Sequence, residues 1–451
     1  MDFKRIWLYI SRTDLDTERR QCEEEGKDLA PLEDEFARVA ALDLEDLAHQ
    51  PAAQRLLDRT AALPVRPDFP YHEPSDLDGI RAARPAARPH LPPLRLSDAV
   101  LRDKVYGAWQ GRVSGCLLGK PVEGWRRPRM WGYLRETGRF PLSGYFSLDA
   151  SEEVRAKYDV RPERCFIETV EYMPEDDDTN YTTTGLALLK QYGPEFTPLD
   201  VAQFWLNEIP ILRTCTAERV AYRNLCSLLP PPASASFRNP YREWIGAQIR
   251  ADFWGYAAAG NPEVAAGFAW RDACVSHVKN GIYGEMWAAA MIAAAFVTDD
   301  LNLILESGLG EIPARCRLAE AVNRVRQWRQ EGLTYDEATE RIHATWNEDR
   351  AHDWCHTISN AMVVTLGLLW GERNFGLSLT RAVQACFDTD CNGATVGSIV
   401  GILHGAASVP AAWTAPFHDT LATGVAGYHR VRLRDLADET VRLIHTVGGT
   451  V

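Results

Sequence analysis

Apolar residues along most of this chain recur every three or four positions, the spacing of one helix face. Cys316–Gln330 and Tyr335–Trp346 alternate apolar and charged positions in that period, and AERVAYRNL and Met286–Val297 are alanine-rich. No segment sustains the period-two alternation between hairpin turn signals that a half-buried strand needs. The pattern predicts an all-α fold. Met286–Val297 is the longest apolar run, and its twelve residues fall short of the roughly 20 that span a bilayer. It predicts a buried core helix.

The pattern breaks once. Residues 1 to about 80 are charged and helix-leaning. From Arg81 to Leu96, prolines at 85, 89, 92 and 93 exclude a continuous helix and favour extended backbone. Ser97 is then a suitable helix N-cap, with Asp98 in the first turn. The expected organisation is a mostly helical extension with a proline-rich linker over 1–96, and one compact domain over 97–451. The opening MDFKRIWLYISR lacks the apolar core of a signal peptide.

Composition narrows the function classes. The 451 residues are 46% hydrophobic and 25% charged, with a net charge of -13. That surplus excludes phosphate-backbone binding to nucleic acid, which needs clustered Lys and Arg. It favours hard divalent cations, which want carboxylates. The ten cysteines are scattered with no Cys-x-x-Cys pair, so a thiolate zinc site is not expected. Scattered thiols suit a reducing cytosol, and the expectation is a cytoplasmic protein with no membrane partner.

Three motifs carry candidate chemistry. Gly107, Gly111, Gly115 and Gly119 lie on one helix face, open to close approach by another helix or a ligand. Pro121 ends that helix and delivers Glu123 to its C-terminal end, where the dipole disfavours an anion and a nearby cation is wanted. The run Glu175-Asp176-Asp177-Asp178-Thr179-Asn180 precedes an apolar helical stretch, and so does Asp388-Thr389-Asp390-Cys391-Asn392-Gly393. Carboxylates in the apolar surroundings of the second run are costly unless paired or coordinated. Two acidic clusters at helix starts and one further carboxylate can supply a binuclear site. Without a His/Cys ligand set they point to magnesium or manganese rather than zinc. His356, ahead of an apolar helix, is either a substrate contact or a satisfied core histidine.

These motifs, with SHVKNGIYGEM and DTDCNGATVGSIVGILHGA, resemble the ADP-ribosylglycohydrolase family over about residues 99 to 445. The resemblance implies an all-α fold with two magnesium or manganese ions. It places Asp176, Asp177 and Asp178 on the first metal-binding triplet, and Asp388, Asp390 and Cys391 on the second. Glu123 falls on the glutamate that gates the site or acts as base. Ser276, His277, Asn280 and Gly281 fall on a loop touching the ligand's phosphate and ribose portion, and Gly119, His356 and Asn392 are further expected substrate contacts. The family commonly has threonine where this chain has Asp176 and Cys391. The implied reaction is hydrolysis of an N-glycosidic bond at C1 of a ribosyl group, on a small-molecule or protein-linked substrate. A nucleoside, nucleotide or modified-base riboside hydrolase and a non-catalytic, crystallin-like protein are the alternatives. An all-α terpene-synthase-like protein fits less well, because Asp388-x-Asp390-x-x-Gly does not match its second metal motif.

Overall fold

Residues 6–448, described by a computed structural model, fold into twenty-three α-helices and one two-stranded antiparallel sheet, Thr420–Ala422 with Arg430–Arg432. The all-α fold expected from the periodicity is the one that forms. The three-residue strands are too short to leave a period in the sequence. The ends of the two expected segments, residues 1–5 and 449–451, lie outside the described residues. No described helix is long and apolar enough to cross a membrane.

Six helices position the site: α1 (Arg12–Glu24), α2 (Asp98–Gly119), α3 (Asp177–Tyr192), α4 (Lys279–Ala295), α5 (Thr357–Gly371) and α6 (Thr389–His404). The Ser97 hydroxyl accepts from the Val100 amide at 3.4 Å and opens α2 as its N-cap. The expected core helix is the second half of α4, fully buried from Met286 to Ala294.

The four glycines of α2 face a second glycine row on α6. A Cβ at Gly107, Gly111 or Gly115 would collide with the carbonyl of Gly401, Gly397 or Gly393, and the reverse collisions hold from α6. The two helices therefore pack backbone on backbone and run antiparallel. At Gly119 the seam meets the Thr389–Asp390 peptide, where the Thr389 hydroxyl donates to the Gly119 carbonyl at 2.9 Å. The C-terminal end of α2 is thus held against the first turn of α6.

The N-terminal helices have a small core of their own, including Leu15, Cys22, Phe36, Val39, Leu56 and Leu57. One face of α1 turns outward from that core with buried polar groups. Glu18 and Glu25 pair with Arg242 at 2.6 and 2.8 Å, and Gln21 donates to Glu243 at 2.6 Å. Further on, Glu73 pairs with Arg317 at 2.8 Å. Residues 84–97 have no helix or strand, as the prolines predict, and Arg84 and Arg88 pair there with Glu263 and Glu311.

Gly115→Ala forces α2 and α6 apart, at an expected cost of about 1–3 kcal/mol or more. Gly267→Ala, on a helix where an added Cβ meets nothing, is expected to be neutral or to stabilise by about 0.5–1 kcal/mol. Urea unfolding of the two variants checks the pair.

Candidate metal centre

The seam brings three separated chain segments to one place. Asp176 is the N-cap of α3, its carboxylate accepting from the Asp178 amide at 3.0 Å, and Asp177 and Asp178 fill the first turn. Asp388 is the N-cap of α6, with Asp390 in the first turn. Both helices present their positive ends to these acids, the arrangement the helix dipole favours. Glu123 follows the turn Lys120–Val122 that closes α2. Asp388 is introduced by Cys386 and Phe387, both left-handed at φ +68° and +59°. Such conformations cost on the order of 1–3 kcal/mol each for non-glycine residues and cluster at functional sites.

The carboxylates lie close enough to govern one another's ionisation. Asp178 is fully buried, Asp176, Asp388 and Asp390 nearly so, and Asp177 half-buried. Burial, with the charges of its neighbours, pushes Asp177, Asp178 and Asp390 well above the usual carboxylate range. Burial also pushes Asp388 up to about 6, against hydrogen bonds from its own turn. Glu123 stands at the solvent-exposed edge with its carboxyl crowded by protein. Desolvation there, then the charges of Asp388 and Asp176, raise it to about 7. Asp176 goes the other way. Its burial is outweighed by the Lys120 ammonium bonded to it, which holds it below the usual range.

Lys120 and Arg112 pair directly with carboxylates of the cluster, and Arg164 adds a smaller charge effect at Glu123. Arg112, fully buried on α2, pairs with Asp178 at 3.0 Å and Asp252 at 2.9 Å, and donates to the Ile249 carbonyl at 2.6 Å. Six carboxylates outnumber these cations and leave a negative surplus. Asp178 Oδ2, Asp390 Oδ1 and Asn392 Oδ1 are buried oxygens that no protein donor reaches. Unpaired buried acceptors of this kind are costly. A bound cation would satisfy them and displace the protons that the raised pKa values imply.

Of the residues singled out in the sequence, Gly119, Glu123, Asp176, Asp177, Asp178, Asp388, Asp390, Cys391 and Asn392 come together here. Asn392 is oriented through its amide, which donates to Asn360 at 2.8 Å, and Asn360 also accepts from the Asp388 amide at 3.1 Å. Ser276, His277, Asn280, Gly281 and His356 are buried, with other partners. Arg250 donates to Ser276, and the Ser276 hydroxyl bonds His277 at 2.8 Å. The Asn280 amide donates to Glu73 and Glu243, both at 2.8 Å. Gly281 packs under the Arg242 carbonyl. These side chains are taken up by internal polar networks, one of them supplied by the N-terminal extension.

His356 caps α5, its Nδ1 accepting from the Ile358 amide at 3.1 Å, and it stacks on Trp346. With His352 it faces Glu24 of α1, at 3.4 and 3.2 Å. This looks like a second metal site, but the tautomers argue against one. Trp244 Nε1–H donates to His352 Nδ1, as the Ile358 amide does to His356 Nδ1. Each neutral ring must then carry its proton on Nε2, toward Glu24. A ligating histidine has the opposite arrangement, donating from its far nitrogen. The three residues form a carboxylate clamp joining α1 to the start of α5.

Sequence reasoning missed Arg112, Lys120, Asn360 and the thiols of Cys116 and Cys215. Arg112 had a faint signal, a charge inside a glycine-lined helix. The cysteines had none, because they are far apart in the chain.

The fold and site together define an all-α protein with a buried, carboxylate-lined centre. Residues 97–449 match the sequence profile of the ADP-ribosylglycohydrolase family, and the chain belongs to that family. A solved structure described as an ADP-ribosylglycohydrolase-related protein complex aligns over 77% of this chain and 99% of its own, at 18% identity and a TM-score of 0.45. That likeness is too loose to inform the site. A search of curated proteins returned no match.

Arg112→Met strands Asp178 and Asp252 without their cation, and is expected to cost about 3–5 kcal/mol. Denaturant unfolding measures the loss.

Proposed function

We propose that the chain is a divalent-metal-dependent hydrolase that cleaves the N-glycosidic bond at C1 of a ribosyl group. Membership of the ADP-ribosylglycohydrolase family supports the glycohydrolase class. The observation that carries the finer reading is the convergence of Asp176, Asp178, Asp388 and Asp390, whose buried oxygens include some that no protein group partners. Asp176, Asp178, Asp388 and Asp390, with the Asn392 carbonyl, form a donor set of the kind divalent cations take. Bound there, such ions would polarise the ribose hydroxyls and an attacking water.

The other roles belong to the protein. Glu123 faces solvent with a carboxyl near 7, so close to neutral pH it can accept the water's proton and hand it on. The surrounding carboxylates face the positive charge that develops on an oxocarbenium-like ribosyl carbon. Arg112 fixes Asp178, and Asn360 fixes the Asp388 turn, so both acids are set before substrate arrives.

A second reading, a nucleoside or other small riboside as substrate, is favoured by one observation. Ser276, His277 and Asn280 expose no surface, and Glu73 of the N-terminal extension occupies the Asn280 amide. A substrate without a long diphosphate arm makes no demand on that loop.

A panel of ADP-ribosyl-arginine, ADP-ribosyl-serine, nucleosides and nucleotides tests both readings by ribosyl release. Turnover is expected to vanish on chelation and return with a divalent ion, and Glu123→Gln is expected to lower kcat by about 10²–10⁴-fold. Full turnover in chelated protein would sink the mechanism.

A further inference from the structure

Three thiols point into the carboxylate cluster. Cys116 lies beside Asp176, Cys215 beside Asp177 and Cys391 beside Asp388. The first and last belong to tight donor groups. The ligand atoms of Cys116, Asp176, Asp178 and Asp390 all lie within 4.8 Å of one another, and so do those of Asp388, Asp390 and Cys391. Cys116 is completely buried and Cys391 is 6% exposed, whereas Cys215 is half-buried at the periphery. Two of the oxygens without a donor, Asp178 Oδ2 and Asp390 Oδ1, belong to carboxylates in the Cys116 group. Asp390 is common to both groups and so joins them.

The donor types then decide which cation fits. Magnesium demands near-octahedral oxygen ligands and gives up its waters reluctantly. A thiolate is a soft donor that selects more polarisable ions, with affinity rising along the first-row series toward cobalt, copper and zinc. Resting on the metal reading of this site, we propose that Cys116 and Cys391 are metal ligands, and that the site takes a borderline first-row divalent ion of the manganese-to-zinc class in preference to magnesium. Each ligating thiol exchanges its S–H bond for a sulfur–metal bond and releases one proton to solvent. No electron changes hands. Burial raises both thiols well above the ordinary thiol range. Their wide separation along the chain explains why no cysteine motif marks the site.

Cobalt(II) reports sulfur ligation directly, through a thiolate-to-metal charge-transfer band in the near ultraviolet that oxygen ligands do not give. The full chain is stripped with chelator and titrated with cobalt(II), then challenged with magnesium at equal concentration. The proposal expects the band in the wild-type protein, a weaker band in Cys116→Ser and in Cys391→Ser, and none in the double variant while visible-region cobalt absorption persists. It also expects magnesium to bind at least about tenfold more weakly. Cobalt binding without the charge-transfer band, or ready displacement by magnesium, overturns the proposal and leaves the metal site standing. Calorimetry showing no binding of cobalt, manganese or magnesium overturns the metal reading and this proposal together. The wild-type spectrum decides the question even if a serine variant fails to fold.

Discussion

No side chain separates α2 from α6 along their seam, where Gly107, Gly111 and Gly115 meet Gly401, Gly397 and Gly393. Glycine inside a helix costs roughly 0.5–1 kcal/mol relative to alanine, so six such positions form a substantial local penalty. What they give in return is placement. With the axes this close, the end of α2 can only lie against the start of α6. Gly119 meets the Asp390 peptide, and Glu123 comes to stand over Asp388 and Asp390. The site's geometry follows from the seam before any carboxylate is considered.

The acids themselves oppose this arrangement. Burial and mutual repulsion favour protons on most of them, and the protein supplies a partial answer. Two helix N-termini point at the cluster, Arg112 neutralises its floor between Asp178 and Asp252, and Lys120 holds Asp176. Asp178 Oδ2, Asp390 Oδ1 and Asn392 Oδ1 are still left without donors. The left-handed pair Cys386–Phe387 adds local strain just before Asp388. Strain of this sort survives only where surrounding structure over-determines it, and the glycine seam and Asn360 provide that restraint.

The helical fold and the acidic motifs were legible because both are short-range signals. Helical periodicity, the Ser97 cap and the prolines after Arg84 are read within a few residues, and so are EDDDTN and DTDCNG. What could not be read is pairing across the chain. Each glycine row is visible alone, but that 115 meets 393 depends on the whole fold. Cys116 and Cys391 are 275 residues apart, and only packing makes them neighbours. The loop from Ser276 to Gly281 shows the converse. Its residues match a ligand-contact motif, yet Glu73 and Glu243 take up the Asn280 amide, and no local pattern marks residues before the proline stretch as reaching it.

The proposed cation would lie between the starts of α3 and α6. Anomalous diffraction from crystals of the full chain grown with manganese(II) tests this most directly. The prediction is an anomalous peak at bonding distance from carboxylate oxygens of Asp178 and Asp390, with the Lys120 ammonium moved away from the ion. A manganese peak elsewhere, or none while Lys120 stays on Asp176, would contradict it.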